Sequence, residues 1–527
     1  MDLVSGYRSL LTKMVEPFVK LNDKTSYLGE ADLARLAEYE RFWNFFLGYH
    51  FDYIATNEDS PQTTQNWCRR FVNKYVSTEF NGGFTFKFDK EFEKDIQSFV
   101  NGVWDDNNGS ELMMNVGQCK SVTGDAYIHV HYESPSEIDD PFGMYPKGRI
   151  RLFSIPSSIV FPKYKDGYNG SPDALESVSI IYNVEREPAL FAGKKTVTIK
   201  YIYTKDEVRK QEDGKDDVVI PNPYGIIPIV HFRNLPLSGS NFGLSDLEDI
   251  IPLNLELNAK CSDVSEILTY HAAPTTIITG ARIANLERGA NNVWGGLPKD
   301  AKVFNLELQG DLGASINYIG NTKTNMFEIA NMPKLAIGGE APPANLSGTA
   351  FQIAFMPLID LIKTKQVMTG ASVQLVNKII LLIGLKEGMI SVKESDRFKL
   401  FTHRVVFGDI LPRDMVQELS QIQQEMKAGL ESRENALERL KKDSPQALLK
   451  EIDKDSKENP LYYGIAPLSM PAGNRLVNPS DGSVMLEPEK EEIPVENNAN
   501  PQMDFKNKVG TNREGKEKKL FTGLEKT

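Results

Sequence analysis

The stretch Leu244-Ser245-Asp246-Leu247-Glu248-Asp249-Ile250-Ile251-Pro252-Leu253-Asn254 carries the clearest helix signal in the chain. Ser245 and Glu248 have the spacing of a capping box, in which a hydroxyl and a carboxylate each satisfy an unpaired backbone N–H. Pro252 then lies about two turns inside the predicted helix, and must either kink it or begin a second helix. Apolar residues continue at helical spacing until Pro274, so the pattern predicts a rod of about 35 to 40 Å.

Downstream of this rod, the pattern predicts a small β-rich insert and a second helix. Short strands are expected at 274–279 and 302–308, and a helix from about Thr322 to Leu335. The following segment, 338–345, contains Gly-Gly and Pro-Pro pairs that disfavour both helix and sheet. A long helical region is then predicted from Gly348 to Leu385, kinked at its proline and loosened at Gly370.

Upstream of the rod, the period of the apolar residues changes from helix to strand. Two helices are predicted at Ala31–Leu47 and Trp67–Val76, with their aromatic side chains in the core. From about residue 80 to 232 apolar and polar residues alternate, with a helical interruption near Phe92 to Val103. The clearest alternating runs are 84–88, 126–132, 178–184 and 197–203. The chain is therefore assigned to the α+β class.

Near the end of the chain, a strand is predicted near Phe401–Phe407, followed by three short helices. Met415, Leu419, Ile422 and Met426 repeat at helical spacing, and Ser432 and Ser444-Pro445 have the composition of two further helix starts. Beyond about 455 apolar residues become rare, and we expect a disordered tail.

Composition excludes several classes of protein. The 527 residues include 60 Lys plus Arg, 72 Asp plus Glu and only 3 Cys, with a formal charge of −12. The cysteines have no C-x-x-C spacing, so we predict no disulfide framework and no zinc ribbon, and a reducing compartment. A protein that grips nucleic acid statically needs an excess of basic residues, which this chain lacks. The sequence predicts no signal segment and no membrane-spanning helix, hence a soluble, unsecreted chain.

Candidate chemical motifs are weak. Gly193-Lys194-Lys195-Thr196 lacks the first glycine of a phosphate-binding loop and is interpreted as a hairpin turn. His129 and His131 share one strand face, but no third ligand follows at a recognisable spacing, so we predict an exposed polar face and no metal. Since no nucleophile elbow or H-E-x-x-H pattern occurs, we assign no catalytic residue and no cofactor.

Several segments, in their order along the chain, resemble tailed-bacteriophage portal proteins, the head-tail connector family. The 244–254 stretch, with His271-Ala272-Ala273-Pro274 and Thr279-Gly280 after it, is similar to the region that enters the portal stem. Four further segments are similar to family elements in the wing and the C-terminal part: Phe46-Leu47-Gly48-Tyr49-His50, Asn66–Lys74, Gly124-Asp125-Ala126-Tyr127 and Ala428–Leu437. The resemblance covers about residues 30 to 450.

The resemblance implies a portal-type fold with an α/β wing, a two-helix stem, a small β-rich clip, a tunnel loop followed by a kinked helix, and an α-helical crown. The boundaries that it implies on this chain are 1–242 for the first part of the wing, 243–270 for stem helix 1, 271–318 for the clip, 319–336 for stem helix 2, 337–347 for the tunnel loop, 348–407 for the second part of the wing, 408–455 for the crown and 456–527 for a disordered tail.

The resemblance also implies a non-enzymatic ring, typically of twelve copies, at one vertex of the virion capsid. Double-stranded genomic DNA would enter during packaging and leave during ejection through the central channel. The implied partners are other copies of the chain, the large terminase, the major capsid protein and scaffold, and head-tail adaptor proteins, with assembly in the host cytoplasm and no membrane involved.

Two groups of residues are expected to line the DNA channel. Lys323 and Lys334, on the predicted second stem helix, are candidates for contacts with the DNA backbone, with the alternative that both lie outside, paired with acids. The tunnel-loop candidates are Gly338, Gly339, Glu340, Ala341, Pro342, Pro343, Ala344 and Asn345. The acidic balance of the chain favours sliding of DNA over tight binding.

Two other functions stay open at this point. An adaptor or minor head protein would lack the two rods around an insert. A cytosolic multidomain enzyme would show a deep pocket holding several perturbed carboxylates or histidines within one subunit.

Overall fold

The computed structural model describes residues 28–53, 62–89, 95–165, 174–186, 195–212, 215–272, 275–280, 298–306, 312–338, 348–410, 415–440 and 445–458. The chain divides into two compact units, Met1–Met415 and Val416–Thr527. Helices and sheets are mixed along the chain, which confirms the predicted α+β class. The three cysteines are free.

The helices of the first unit include several that the periodicity predicted. Their bounds are α1 (Glu30–Leu47), α2 (Trp67–Phe80), α3 (Asp95–Asp106), α4 (Gly109–Thr123), α5 (Ile250–Ala272), α6 (Leu312–Ile329), α7 (Gly348–Lys386) and α8 (Arg397–Leu400). Short 3-10 turns lie at Phe51–Tyr53, Ser157–Ile159, Lys334–Ile337 and Glu394–Asp396.

The strands of the first unit form four antiparallel sheets. Their bounds are β1 (Phe84–Lys87), β2 (Asp125–Glu133), β3 (Arg149–Ile155), β4 (Val160–Tyr164), β5 (Leu175–Arg186), β6 (Lys195–Tyr203), β7 (Glu207–Glu212), β8 (Val218–Pro221), β9 (Ile229–Arg233), β10 (Thr275–Thr279), β11 (Lys302–Leu306) and β12 (Arg404–Phe407). β4 to β8 form a five-stranded meander, β2 is central between β3 and β9, and β1–β12 and β10–β11 are two-stranded.

The predicted hairpin of the runs 178–184 and 197–203 is confirmed. β5 and β6 pair antiparallel with Ile180 opposite Tyr201, as expected for a hairpin. The two strands of the insert also pair, with Ile277 opposite Phe304. The middle of the insert and the Gly193 turn lie outside the described residues.

The three-stranded sheet separates two hydrophobic cores, because β2 is covered on both faces. Ala126, Ile128 and Val130 point toward a core made by the helices, including α2, α4 and α7. Tyr127 points the other way, into a second core shared with β4, β5 and β6. Since successive strand residues alternate between faces, the odd-numbered residues of β2 lie under the five-stranded sheet.

The prediction of an exposed face for His129 and His131 is therefore wrong. The side chain of His129 is buried, and its ring meets that of Tyr203 edge-on at 5.3 Å. Burial lowers the pKa of both histidines, so both imidazoles are neutral near pH 7. The two rings lie 5.6 Å apart.

The capping box at Ser245 is also not formed. The Ser245 hydroxyl donates to the Val122 carbonyl at 2.5 Å and accepts from the Leu247 N–H at 3.0 Å, which ties this segment to the end of α4. α5 begins at Ile250 and ends at Ala272, whereas 243–270 was expected for the first rod. Pro252 lies in its first turn, where the missing N–H has no intrahelical partner to lose.

The second rod is displaced toward the N-terminus. A helix was expected at 319–336, but α6 spans Leu312–Ile329, so residues 312–318, assigned to the clip, are helical. Asn331 has a left-handed φ of 49° and Pro333 follows, so the chain leaves the helix before Lys334. The sequence periodicity continues across this break because Met332 and Leu335 are still apolar.

α7 is one helical element of 39 residues that runs through Pro357 and Gly370. Its segment Ala350–Lys386 is, within the described part of the chain, the one helix long and apolar enough to cross a membrane. Half of its most apolar window is buried inside the protein, and helices at the centre of a folded core share that composition.

The second unit contains three short helices, as predicted. Their bounds are α9 (Met415–Lys427), α10 (Arg433–Arg439) and α11 (Pro445–Glu458). Ser432 caps α10 by accepting from the Asn435 N–H at 3.1 Å, which confirms the predicted helix start.

Arg439 lies 2.6 Å from Glu425 and also contacts Glu418 and Glu431. α11 extends through 456–458, which were assigned to the tail, and residues 459–527 lie outside the described residues.

Candidate functional site

Gly338, the first of the tunnel-loop candidates, has a defined backbone conformation. Gly338 closes the 3-10 turn Lys334–Ile337 with a φ of 71°, and its N–H donates to the Leu335 carbonyl. Only a residue without Cβ adopts this conformation readily. The other loop candidates lie outside the described residues: Gly339, Glu340, Ala341, Pro342, Pro343, Ala344 and Asn345.

The chain leading into this loop is anchored on α2. The ring of Phe327 lies 5.1 Å from those of both Trp67 and Phe71, with edge-to-face packing. The Tyr75 hydroxyl donates to the carbonyl of Ala330, just after α6. Arg70 donates to the Ile337 carbonyl at 2.7 Å, one residue before Gly338. One helix therefore fixes both the end of α6 and the entry to the loop.

The two lysines expected in the channel occupy different settings. Lys323 lies on α6, half-buried, with its ammonium 4.6 Å from the centre of the Trp67 ring, a cation–π contact. Lys334 lies outside α6, in the 3-10 turn, and is also half-buried. The expectation that both lysines lie on one helix is therefore wrong.

α5 holds an extended segment through a row of polar side chains. Asn254 Oδ1 accepts from the Trp67 N–H at 3.1 Å, and its Nδ2 donates to the Gln65 carbonyl at 2.8 Å. One turn later Asn258 Oδ1 accepts from the Gln65 N–H at 2.9 Å, and Ser262 accepts from the Thr63 N–H at 3.2 Å. Residues spaced by four lie on one helix face, so three polar side chains bind the backbone of 63–67 in register.

Asn258 also fixes the aromatic-Gly-His element. With its oxygen used by Gln65, its Nδ2 donates to Nδ1 of His50 at 2.6 Å. This assigns the His50 proton to Nε2, which donates to the Phe45 carbonyl at 2.8 Å. Burial lowers the pKa of His50, consistent with a neutral ring that accepts one hydrogen bond and donates another.

Two buried ion pairs connect α2, α4 and α7 with one another and with the segment that leads into α5. Lys120 on α4 lies 2.7 Å from Glu79 on α2, and Thr369 on α7 joins the same pair at 2.9 Å from the ammonium. Lys365, one turn earlier on α7, pairs with Asp246 in the segment that leads into α5. Both lysine side chains are fully buried.

The Gly-Asp element meets the start of the first rod through direct backbone contact. A Cβ on Gly124 would lie 2.3 Å from the Gly243 carbonyl oxygen, and a Cβ on Gly243 would lie equally close to the Gly124 oxygen. Asp125 accepts from the Gly243 N–H at 2.9 Å. Both glycines are therefore required by the close approach of two backbone segments.

The family of the chain follows from comparison of its sequence with family models. The model described as "Phage portal protein, SPP1 Gp6-like" matches residues 27–460. The chain belongs to this family of phage portal proteins.

Solved structures similar to this portal-family chain come from gene transfer agent (GTA) particles. A chain in "Neck of empty GTA particle computed with C6 symmetry" is 13% identical with a TM-score of 0.43, over 71% of this chain and 89% of that chain. A chain in "Virion of native gene transfer agent (GTA) particle" is 12% identical with a TM-score of 0.43, over 83% and 99%. None of the curated proteins matches.

Three of the sequence segments that resemble portal proteins contact α5 or the segment that leads into it in this portal-family chain; Ala428–Leu437 belongs to the second unit. His50 contacts α5 through Asn258, Asn66 accepts from the Arg69 N–H as the N-cap of α2, and Gly124 contacts Gly243. These segments are far apart in sequence, and each supports the lead-in or the first turns of α5. The order of the motifs thus corresponds to one connected structural framework.

Sequence reasoning missed the buried charges of this framework. Lys120 and Glu79 are 41 positions apart, and Lys120 and Thr369 are 249 apart, so no local spacing rule connects them. Among the described residues, no group of three His, Cys, Asp or Glu side chains is placed to hold a metal ion.

Proposed function

We propose that this chain is the portal subunit of a phage-type capsid. Copies of it, twelve in the mature particle, form a ring at one vertex of the virion, and double-stranded DNA passes through the central channel during packaging and ejection. In this role the subunit is structural and catalyses no reaction; the terminase supplies ATP hydrolysis. Family membership over residues 27–460 carries the proposal.

The arrangement of α5, the β10–β11 hairpin and α6 supports a stem and clip. α5 and α6 pack against each other, and the hairpin is placed between them in sequence. The polar row on α5 and the aromatic contacts of Phe327 fix both helices to α2 and the segment before it. We propose that the hairpin end of this pair docks the large terminase and later the head-tail adaptor proteins.

Exposed apolar side chains on α6 and α7 support contact with neighbouring copies. Ile353 and Val367 on α7 are 66% and 72% exposed. On α6, Ile316 and Ile329 are also largely exposed. Exposed apolar patches are typical of surfaces that become buried in an assembly. We propose that adjacent subunits cover them in the ring, with the major capsid protein and scaffold surrounding the ring.

The charge of the subunit supports passage of DNA. A formal charge of −12 per copy gives the ring a negative field, which opposes tight phosphate contacts. We propose that Lys323, Lys334 and the loop 338–345 are the DNA-facing elements. Because the cation–π contact of Lys323 holds its ammonium in place, it would offer DNA one weak, fixed contact per subunit.

Electron microscopy of the purified full-length protein tests this function. We expect closed rings with a central hole wide enough for a DNA duplex, about 20 Å or more. Substituting Ile353 and Val367 by Ser should shift the protein from rings to smaller species, whereas the same change at exposed Phe142, in the turn between β2 and β3, should not. Particles without a hole, or monomers at all concentrations, would contradict the proposal.

A further inference from the structure

A cavity of about 300 Å³ lies between the start of β5, β9 and α7. Its wall includes apolar side chains such as Ile229 and Leu375, together with His231, Arg233, Tyr164 and Lys378. This volume and this mixture of an apolar wall with few polar groups are typical of small-molecule sites. None of these residues belongs to the rods or the loop.

Two positive side chains of this wall have no counter-ion within the described part of the chain. No carboxylate of the described residues lies within ion-pair distance of Arg233 or Lys378, and neither forms a side-chain hydrogen bond there. Arg233 is half-buried and Lys378 is exposed. A guanidinium withdrawn from water without an acceptor loses hydrogen bonds that a ligand can restore.

Asp125, the residue opposite Arg233 in the β2–β9 pair, already accepts most of the hydrogen bonds that one carboxylate can take. Asp125 is buried and accepts from the Tyr39 hydroxyl at 2.6 Å, from Nε2 of His231 at 2.7 Å and from the Gly243 N–H at 2.9 Å. Three donors use most of the capacity of one carboxylate. The positive charges at the cavity therefore remain available to an anion from outside.

Asp125 also orients the polar groups of the cavity wall. With the His231 proton on Nε2, Nδ1 accepts from the Tyr164 hydroxyl at 3.3 Å. Burial raises the pKa of Tyr164 to about 12, so this hydroxyl keeps its proton. The Ser372 hydroxyl donates to the His231 carbonyl at 2.9 Å. The protons of both hydroxyls are thus committed, and Arg233 and Lys378 are the charged donors in the cavity wall.

We propose that this cavity is an anion-binding site for a small molecule that carries one phosphate or carboxylate group on an apolar body. Arg233 offers two parallel N–H groups, which match the two oxygens of either group, and Lys378 adds a second positive charge at the opening. Ile229 and Leu375 contact the apolar body. The proposal depends on residues of one subunit and not on the ring.

Titration calorimetry with phenyl phosphate, benzoate and inorganic phosphate tests this site on the full-length protein. We expect binding of phenyl phosphate or benzoate with a Kd below 1 mM, and weaker binding of inorganic phosphate, which cannot use the apolar wall. The tighter of the two aromatic probes identifies the anionic group. Absence of binding by both aromatic probes overturns the proposal.

Two variants with matched controls locate the site. R233A should raise the Kd at least tenfold, whereas R209A, an exposed arginine of β7 paired with Glu207, should leave it unchanged. K378Q removes an exposed charge without disturbing the fold and should raise the Kd several-fold, with K163Q on β4 as its control. Equal Kd values in K378Q and K163Q, or loss of binding in R209A, would overturn the assignment even if R233A failed to fold.

Discussion

The ammonium of Lys120 lies 2.7 Å and 2.9 Å from the two carboxylate oxygens of Glu79, and both side chains are fully buried. The Thr369 hydroxyl donates to the same carboxylate at 2.6 Å, so one pair joins α2, α4 and α7. Burial lowers the pKa of Lys120, while the charge of Glu79 opposes that shift. Such a pair is neutral as a unit, but each charge depends on its partner.

Removing one partner of this pair should destabilise the first unit strongly. Lys120→Met leaves the Glu79 carboxylate buried without its cation, at a cost of about 3–5 kcal/mol. The double change Lys120→Met with Glu79→Leu should recover most of that loss. Urea unfolding followed by tryptophan fluorescence measures both. As a control, Lys163→Met breaks an exposed pair with Glu176 and should hardly move the midpoint. Equal effects of Lys120→Met and Lys163→Met would contradict this account.

Loss of the polar row on α5 should loosen the segment before α2. Asn254→Ala removes the acceptor of the Trp67 N–H and the donor to the Gln65 carbonyl, which costs about 1–3 kcal/mol for each buried group left unpaired. Amide hydrogen exchange should therefore accelerate across 63–68. Asn325→Ala, at an exposed position of α6, serves as the control and should leave exchange unchanged. Unaltered exchange in Asn254→Ala would show that the row does not hold the segment.

Acid should destabilise the protein through its buried histidines. Burial lowers the pKa of His403 from 6.5 to about 4, and it also lowers those of His50, His129 and His131. The unfolded chain therefore binds more protons than the folded chain between pH 6.5 and 4, so stability falls as pH falls through this range. His403 alone should contribute about 2 kcal/mol of the loss between pH 7 and 5.

The variant His403→Gln isolates this contribution. Between pH 7 and 5 the free energy of unfolding should decrease in both proteins. The decrease should be about 2 kcal/mol smaller in the variant than in the wild type. Above pH 7 the two pH profiles should run parallel, because the imidazole is neutral in both states. Parallel profiles down to pH 5 would rule out His403 as a source of acid sensitivity.

Shortening the proposed tunnel loop should impair DNA packaging while leaving ring assembly intact. Deleting 339–345 leaves Gly338 and the contact of Arg70 with Ile337 in place, so rings should still form. Packaged DNA should become shorter or leak from the capsid, as measured by genome length in purified particles. Replacing 339–345 by seven Gly and Ser residues provides a length-matched control that should retain more DNA than the deletion. If the deletion variant packaged genomes of full length, the assignment of this loop to the DNA channel would be wrong.

The main elements were predictable from local patterns, and their tertiary contacts were not. The alternation of apolar and polar residues predicted β2, β5 and β6, and the prolines at 252 and 274 indicated where α5 begins and ends. The helix α4 was missed because its last turn is buried all round, with Lys120 and Thr123 inside the core, while apolar Met114 is exposed, so the sequence shows no clean apolar stripe. The prediction that Lys334 lies on the second helix was wrong because apolar residues continue at helical spacing past the end of α6.

The candidate site was predictable only in part, because its contacts join residues that are far apart in sequence. The motifs around His50, Gly124 and Ser245 could be read as separate segments, but the hydrogen bonds that join them span large sequence separations. The role of His129 was misjudged because a polar side chain under a second sheet has the same alternation as an exposed one.

The 39 residues of α7 begin directly after the loop and extend for about 58 Å. Along the way Lys365 and Thr369 are bound to charged partners from three other segments of the chain. A load on its first turn would thus be resisted by bonds that lie beyond Pro357. The buried charges brace the middle of the helix, so a displacement at its first turn would be opposed before it reaches the sheets.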